Sequence, residues 1–141
     1  MSDDVRMLVE EANAAFYRAL ESGVLERMVE VWAHEDWVRC VLPGWEMVVG
    51  WARVRDSWEA IFDGGQHMRA APSEVWVRII GDLAWVSCLE NITVFNESSF
   101  DSAQAAATNL FMQRDGRWLM VLHHASPTPM IIPDASSDTI Q

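Results

Sequence analysis

The sequence predicts an α+β domain whose helices gather on one side of a mostly antiparallel sheet. Helical spacing of apolar residues is confined to about residues 2–64, and two strand-turn-strand patterns follow, centred on Gly81-Asp82 and Asp115-Gly116. Asp-Gly between apolar runs is a strong hairpin signal, because a type I′ turn needs positive φ at both central residues. Helices followed by a run of strands are typical of α+β domains.

Three helices are predicted in the first half of the chain. The first covers residues 2–23, where Ser2 supplies an N-cap and Gly23 the stop, and its apolar residues recur at helical spacing. The second covers residues 25–33, and the third covers residues 51–64. Between these two, the β-rich run 37–42 predicts a short strand that ends at Pro43-Gly44, and residues 45–50 are predicted as a loop.

The first hairpin is predicted to pair residues 74–80 with residues 83–95. Pairing about Gly81-Asp82 sets Val77 opposite Val86 and Arg78 opposite Trp85. We therefore expect the Arg78 guanidinium to cover the Trp85 indole.

The second hairpin, residues 103–126, turns at Asp115-Gly116. A two-residue turn pairs Asn109 with Leu122 and Ala107 with His124, so Asn109 and His124 share a face and His123 lies on the other. The same register sets Arg114 opposite Arg117, and a longer loop is the alternative that avoids this like-charge pair.

Both faces of the predicted sheet are largely apolar, whereas a half-solvated sheet alternates apolar and polar residues. Three helices cover one face only, and a large apolar face is rarely left bare on a soluble monomer. We therefore expect the outer face to be buried against a second copy, giving a homodimer.

Size and charge exclude several classes of protein. The 141 residues fit one domain, predicted over residues 1–127, with an extended or mobile tail over residues 128–141. The formal net charge of -11 disfavours nucleic acid and anionic membranes as partners. No apolar run reaches the length of a membrane span, and Cys40 and Cys88 lack metal or redox spacing, so a cytoplasmic protein without a metal or another cofactor is expected.

The segments AFYRALESG, LERMVEVWAHED, VLPGW, GWARVRDSWEAIF and RWLMVLHHASP resemble the SnoaL-like branch of the nuclear transport factor 2-like superfamily over about residues 5–127. The resemblance implies a cystatin-like cone, in which a curved sheet wraps a long N-terminal helix around an apolar pocket. It also implies dimers through the outer sheet face. The superfamily includes steroid isomerases, polyketide cyclases, epoxide hydrolases and a protein kinase association domain, so the fold alone does not decide the function.

The steroid isomerases give a residue-by-residue comparison. Their helix tyrosine corresponds to Phe16, with Tyr17 one step further round the helix, and their carboxylate base corresponds to about Cys40. Their protonated aspartate corresponds to Asn109, whose amide can donate a hydrogen bond. A histidine that similar sequences carry before Pro-Gly is Leu42 here. The resemblance therefore retains one donor and loses the isomerase base.

Three polar residues are the candidate catalytic groups. Asn109 and His124 on one face form a minimal donor and acid/base set, although they can equally satisfy each other or nearby backbone groups. Glu90 interrupts an apolar strand face, and it is either a general base with a raised pKa or the partner of Arg39 or Arg78.

The sequence therefore predicts a small-molecule-binding protein, with catalysis by cofactor-free isomerisation, cyclisation or hydrolysis of a cyclic apolar substrate. The alternative is a non-catalytic association domain like that of calcium/calmodulin-dependent protein kinase II. The predicted site combines Asn109, His124 and Glu90 with a pocket wall of five further residues: Phe16, Trp32, Cys40, Trp58 and Phe111.

Overall fold

The computed structural model describes residues 2–129. Within that range the helices are α1 (Ser2–Ser22), α2 (Leu25–Val31) and α3 (Trp51–Asp63), and the strands are β1 (Arg39–Val41), β2 (Val48–Val49), β3 (His67–Ile80), β4 (Leu83–Phe95), β5 (Phe100–Arg114) and β6 (Arg117–Pro127). The predicted α+β class, the three helices and the four long strands are confirmed. Thr128 still donates its backbone N–H to the Gln104 carbonyl, and the remainder of the predicted tail from residue 130 lies outside the described residues.

The six strands of the described chain form one open sheet in the order β2-β1-β6-β5-β4-β3. Neighbouring strands run antiparallel except β1 and β6, which are parallel. Helix α1 packs across the inner face and contacts both β3 and β6. The sheet and the helices thus form two layers around one apolar core, which is the predicted cone of the superfamily.

The β3–β4 hairpin has the predicted register, with Val77 opposite Val86 and Arg78 opposite Trp85. The Arg78 guanidinium, however, lies 5.9 Å from the ring centre of Trp76 on its own strand, rather than over Trp85. Strand β3 begins at His67, seven residues before the predicted start, because a bulge between Ser73 and Trp76 breaks the alternation that marks a strand.

The β5–β6 hairpin turns at Asp115 and Gly116, both at positive φ as predicted. Arg114 does face Arg117 across the turn. The longer loop is unnecessary, because the Arg114 guanidinium pairs with Glu35 and the Arg117 guanidinium donates to the Glu30 carbonyl oxygen at 3.0 Å.

The predicted register of this hairpin is wrong beyond its middle. A bulge at Leu110/Phe111 leaves Val121 as an extra residue in β6, so Asn109 pairs with His123 instead of Leu122. His124 pairs with Thr108 and lies on the outer face. The apolar run from Leu119 to Leu122 hides the extra residue, since no polar position there shows which face each side chain takes.

The segment predicted as a loop over residues 45–50 contains the short strand β2, which pairs with β1. No helix within residues 2–129 combines the length and the apolarity needed to cross a bilayer.

Candidate functional site

Helix α1 and the inner sheet face bring five polar side chains together in the core. We call this set the polar cluster: Asn13 and Tyr17 from α1, Glu90 from β4, Asn109 from β5 and His123 from β6. Asn13 and Tyr17 are four residues apart and share one face of the helix, while β4, β5 and β6 are neighbours in the sheet. Each member is at most 3% exposed, so the polar cluster is sealed from solvent in this conformation.

Asn109 is the hub of the polar cluster. Its amide nitrogen Nδ2 donates to Asn13 Oδ1 at 2.8 Å and to Tyr17 Oη at 3.2 Å. Its amide oxygen Oδ1 lies 2.7 Å from His123 Nδ1. The Tyr17 hydroxyl in turn donates to Glu90 Oε1 at 2.8 Å. One continuous chain of hydrogen bonds therefore links the imidazole to the carboxyl group.

Burial favours the uncharged form of each titratable member of the polar cluster. Desolvation raises the pKa of Glu90, against a smaller opposing effect of the Tyr17 hydrogen bond. Desolvation, assisted by the nearby His124, lowers the pKa of His123 to about 3. Desolvation and the Glu90 carboxyl raise the pKa of Tyr17 as well. Burial thus biases the polar cluster towards neutral donors and acceptors inside an apolar core.

The predicted catalytic residues separate in the structure. Asn109 and Glu90 lie in the polar cluster, and Glu90 is bonded to Tyr17 rather than to Arg39 or Arg78. His124 is exposed on the opposite face, so the prediction that it shares a face with Asn109 is wrong. The bulge in β6 gives that position to His123.

The five residues predicted to wall the pocket are all in the core, each at most 2% exposed: Phe16, Trp32, Cys40, Trp58 and Phe111. The Phe16 ring lies 4.6 Å from the His123 ring and 5.8 Å from the Trp58 ring, measured between centroids. Burial, with a smaller effect of Glu90, raises the pKa of the Cys40 thiol to about 12, so this thiol is a neutral, unreactive part of the wall. All five belong to one apolar core, and Phe16 borders the polar cluster directly, with its ring beside Tyr17 and His123.

Three members of the polar cluster were not predicted as site residues from the sequence: Asn13, Tyr17 and His123. A signal for two of them exists, because Asn13 and the chain's single tyrosine lie one helical turn apart on the stripe that also carries Val9 and Leu20. His123 had no such signal, since only the bulge turns it inward.

No group of three or more His, Cys, Asp and Glu side chains is placed to hold a metal ion within the described part of the chain.

The outer sheet face carries exposed aromatic residues and a shallow groove. Trp76 and Trp85 are each at least 40% exposed and meet edge to face at 5.0 Å between ring centroids. The groove, of about 450 Å³, is lined by polar and small side chains that include Ser87, Thr108 and His124. This surface has the apolar and hydrogen-bonding groups that a protein interface uses.

The chain is similar to a known domain family and to a curated protein. The model of the SnoaL-like domain matches residues 9–131. The F-box protein SKIP8 of Arabidopsis thaliana is 31% identical over 122 residues, which are 86% of this chain and 49% of that protein. The chain therefore spans about half the length of this curated relative.

Solved structures share the fold over nearly the whole chain. A "putative dehydratase from the NTF2-like family" of Streptomyces avermitilis has a TM-score of 0.85 and 29% identity, with 91% of this chain and 99% of that chain covered. A "putative calcium/calmodulin-dependent protein kinase type II association domain" of Thiobacillus denitrificans has a TM-score of 0.76 and 32% identity, with 85% and 94% covered. With the family model matching most of its length, the chain belongs to the SnoaL-like domain family of the nuclear transport factor 2-like superfamily.

Proposed function

We propose that this protein binds a small, largely apolar molecule beside the polar cluster and acts on it by cofactor-free proton transfer. The substrate class is a cyclic apolar compound that carries an oxygen, and the reaction class is isomerisation, cyclisation or hydrolysis. The observation that carries the proposal is the chain of hydrogen bonds through five buried polar side chains between α1 and the sheet.

The free-energy cost of burying polar side chains supports a functional role for this hydrogen-bonded cluster. Taking polar groups out of water costs free energy that hydrogen bonds only offset, and apolar side chains of similar volume commonly give an equally stable core. Titratable groups with perturbed pKa values, gathered in one site, are typical of functional sites. A purely structural core would not need Glu90 and His123 in it.

The surroundings of the polar cluster indicate the chemistry of the ligand. Phe16, Trp58 and Phe111 offer apolar and aromatic contacts, and the polar cluster offers hydrogen bonds for one oxygen function. Because these groups are buried, binding requires a minor conformation in which the helices and the sheet separate locally, and a ligand would stabilise that conformation.

The similarity at 29% identity to a protein described as a putative dehydratase supports a reaction of this kind. Proton abstraction and proton donation on an uncharged substrate are common to dehydration, isomerisation and cyclisation.

A thermal-shift panel of sterols, polyketide fragments and aromatic acids tests the proposal. At least one compound should raise the melting temperature of the wild type and of Thr108→Val, and not that of Asn109→Leu. Thr108 is the matched control, because it neighbours Asn109 on β5 and points to the outer face. A panel without effect on the wild type, or an equal shift in Asn109→Leu, would contradict the proposal.

The outer sheet face favours a second candidate function, that of an association domain that binds another copy of this chain. Trp76, Ile80 and Trp85 are exposed there, and a large exposed apolar surface is typical of interfaces. The 32% identity to a putative protein kinase association domain supports the same function. In this case the interior polar cluster would be a structural remnant.

Light scattering tests self-association. The wild type should have twice the 16.0 kDa mass of one chain, and Trp85→Glu should return it to the mass of one chain. Trp45→Glu is the matched control, because Trp45 is similarly exposed but precedes β2 at the other edge of the sheet. A wild type with the mass of one chain at micromolar concentration would contradict a homodimer.

A further inference from the structure

The hydrogen-bond partners of Asn109 indicate which ring nitrogen of His123 carries the proton. We propose that His123 is held as the tautomer with its proton on Nδ1, so that its bare Nε2 and the Glu90 carboxyl form an uncharged base and acid pair for an uncharged carbonyl or hydroxyl compound. This inference rests on the proposed function of the same site, while its first part can be tested without any ligand.

The partners of the Asn109 amide give it one orientation. Its Nδ2 faces Asn13 and Tyr17, where it donates two hydrogen bonds. Its Oδ1 faces His123 Nδ1 at 2.7 Å. An amide oxygen only accepts hydrogen bonds, so the proton between these two atoms belongs to Nδ1. In a neutral imidazole the second nitrogen then carries a lone pair and no proton.

The Tyr17 hydroxyl continues the same direction. It accepts from Asn109 Nδ2, and its own proton goes to Glu90 Oε1 at 2.8 Å. In this series of hydrogen bonds, each donor from His123 through Asn109 and Tyr17 thus points towards Glu90. Asn109 and Tyr17 are positioning residues, because they act on the pair by fixing the tautomer and the carboxyl.

The first and last residues of this hydrogen-bonded series, His123 and Glu90, are also close to each other. His123 Nε2 lies 3.8 Å from Glu90 Oε1, which is too long for a direct hydrogen bond. A hydroxyl placed to one side of the line between them can donate to Nε2 and accept from the Glu90 carboxyl, whereas a carbonyl oxygen there can accept from Glu90 alone. The Phe16 ring beside His123 leaves an apolar wall for the carbon skeleton of a ligand.

His123 and Glu90 together can supply and accept every proton of the reaction, so no cofactor is needed. Nε2 takes a proton from a carbon next to a substrate carbonyl, and the electrons of that C–H bond form the new C=C bond. The Glu90 O–H bond breaks and its proton goes to the carbonyl oxygen, which gives an enol. Where the substrate has a further C=C bond beyond the carbon that loses its proton, this enol is a conjugated dienol. The first proton then returns from Nε2 to the far carbon of the diene, the double bond shifts, and the enol proton returns to Glu90, which restores the protein and isomerises the substrate.

The same contacts select against anionic ligands. The hydrogen bonds of the polar cluster join it to neutral and acidic side chains, and no arginine bonds to Glu90 or His123 in the described chain. A carboxylate or phosphate would lose its hydration beside Glu90 and gain no cation in return. An uncharged ketone or alcohol loses much less.

Long-range ¹H–¹⁵N correlation spectra of the ¹⁵N-labelled full chain test the tautomer directly. The signals of the other three histidines are assigned with His34→Gln, His67→Gln and His124→Gln, all exposed, so no core variant has to fold. We expect protonated Nδ1 and bare Nε2 for His123, unchanged between pH 8 and pH 5. Protonated Nε2 with bare Nδ1, or an imidazolium at neutral pH, would overturn the proposal.

Two matched ring compounds test the ligand class in the same spectra. Cyclohexanone should shift the His123 Nε2 resonance, and cyclohexanecarboxylate at equal concentration should not. An equal shift with the carboxylate would overturn the selection for uncharged ligands. If neither compound shifts Nε2, both the ligand assignment and the proposed function are contradicted. The tautomer is decided separately, by the spectra without ligand.

Discussion

At the scale of single residues, the interior site depends on how each polar side chain meets its partner. Glu90 was predicted as a site residue because it interrupts an apolar strand face, and Asn109 because it corresponds to the protonated aspartate of the steroid isomerases. The structure places both in the polar cluster. Their partners were not predictable in the same way. The contact from Tyr17 to Glu90 joins residues 73 positions apart, and only the packing of α1 on the sheet creates it.

Removing the Tyr17 hydroxyl should destabilise the protein. Tyr17→Phe leaves Glu90 Oε1 without this donor and Asn109 Nδ2 without one acceptor, and each buried unsatisfied group costs about 1–3 kcal/mol. We expect a fall of at least that size in the free energy of unfolding, measured by urea denaturation. Thr108→Val on the outer face is the control. A loss below about 0.5 kcal/mol would mean that water replaces the hydroxyl.

Replacing Glu90 by glutamine should change how stability depends on pH. The pKa of Glu90 is raised above its ordinary 4.5, so above pH 4.5 the folded state holds this proton more tightly than the unfolded state, and stability falls as pH rises. The pKa of His123, lowered from 6.5 to about 3, acts oppositely, because the unfolded state binds more protons between these values. Glu90→Gln removes only the first effect.

The expected result is that Glu90→Gln gains stability relative to the wild type as pH rises above 4.5, by up to about 1.4 kcal/mol per pH unit within the titration range of Glu90. Urea denaturation at several pH values measures this. Glu97→Gln, exposed between β4 and β5, should show no such trend. A difference between Glu90→Gln and wild type that is independent of pH would show that Glu90 has an ordinary pKa.

At the scale of elements, turn chemistry and apolar periodicity were sufficient for most of the fold. The helices begin and end within two residues of their predicted positions, and both hairpins turn where Gly-Asp and Asp-Gly predict. The two bulges were not predictable, because an added residue in a strand changes no local propensity. The bulge that leaves Val121 unpaired matters most, since it exchanges the faces of His123 and His124.

The β5–β6 turn should tolerate only residues that accept positive φ. Gly116 has φ +79°, and a Cβ added there meets no atom within 4 Å, so Gly116→Ala tests backbone strain alone. We expect a loss of about 1–2 kcal/mol in urea denaturation. Asp115→Asn keeps a residue that accepts the left-handed conformation and should be nearly neutral. A neutral Gly116→Ala would show that the turn relaxes to another type.

At the scale of the whole molecule, the two faces of the sheet differ in the side chains they carry. The inner face of the sheet holds the polar cluster under α1, and the outer face exposes aromatic residues. The sequence predicted both faces from their apolar character. It could not predict that the interior is closed, because closure depends on the combined volumes of side chains from separate elements.

Salt should strengthen any association between copies of this chain. Each copy carries a formal net charge of -11, so two copies repel each other, and ions screen this repulsion. We expect sedimentation velocity to show a larger dimer fraction at 150 mM than at 10 mM sodium chloride. A dimer fraction that falls with added salt would indicate an interface held by opposite charges instead of the outer apolar face.

The central claim is that a ligand binds in the interior, between α1 and the sheet. A crystal structure of the protein grown with a cyclic ketone tests it most directly. Our account predicts the ketone beside Phe16, with its oxygen within hydrogen-bonding distance of Glu90 and the carbon next to its carbonyl facing His123 Nε2. A ketone found only in the outer groove near His124, with the polar cluster still closed, would contradict it.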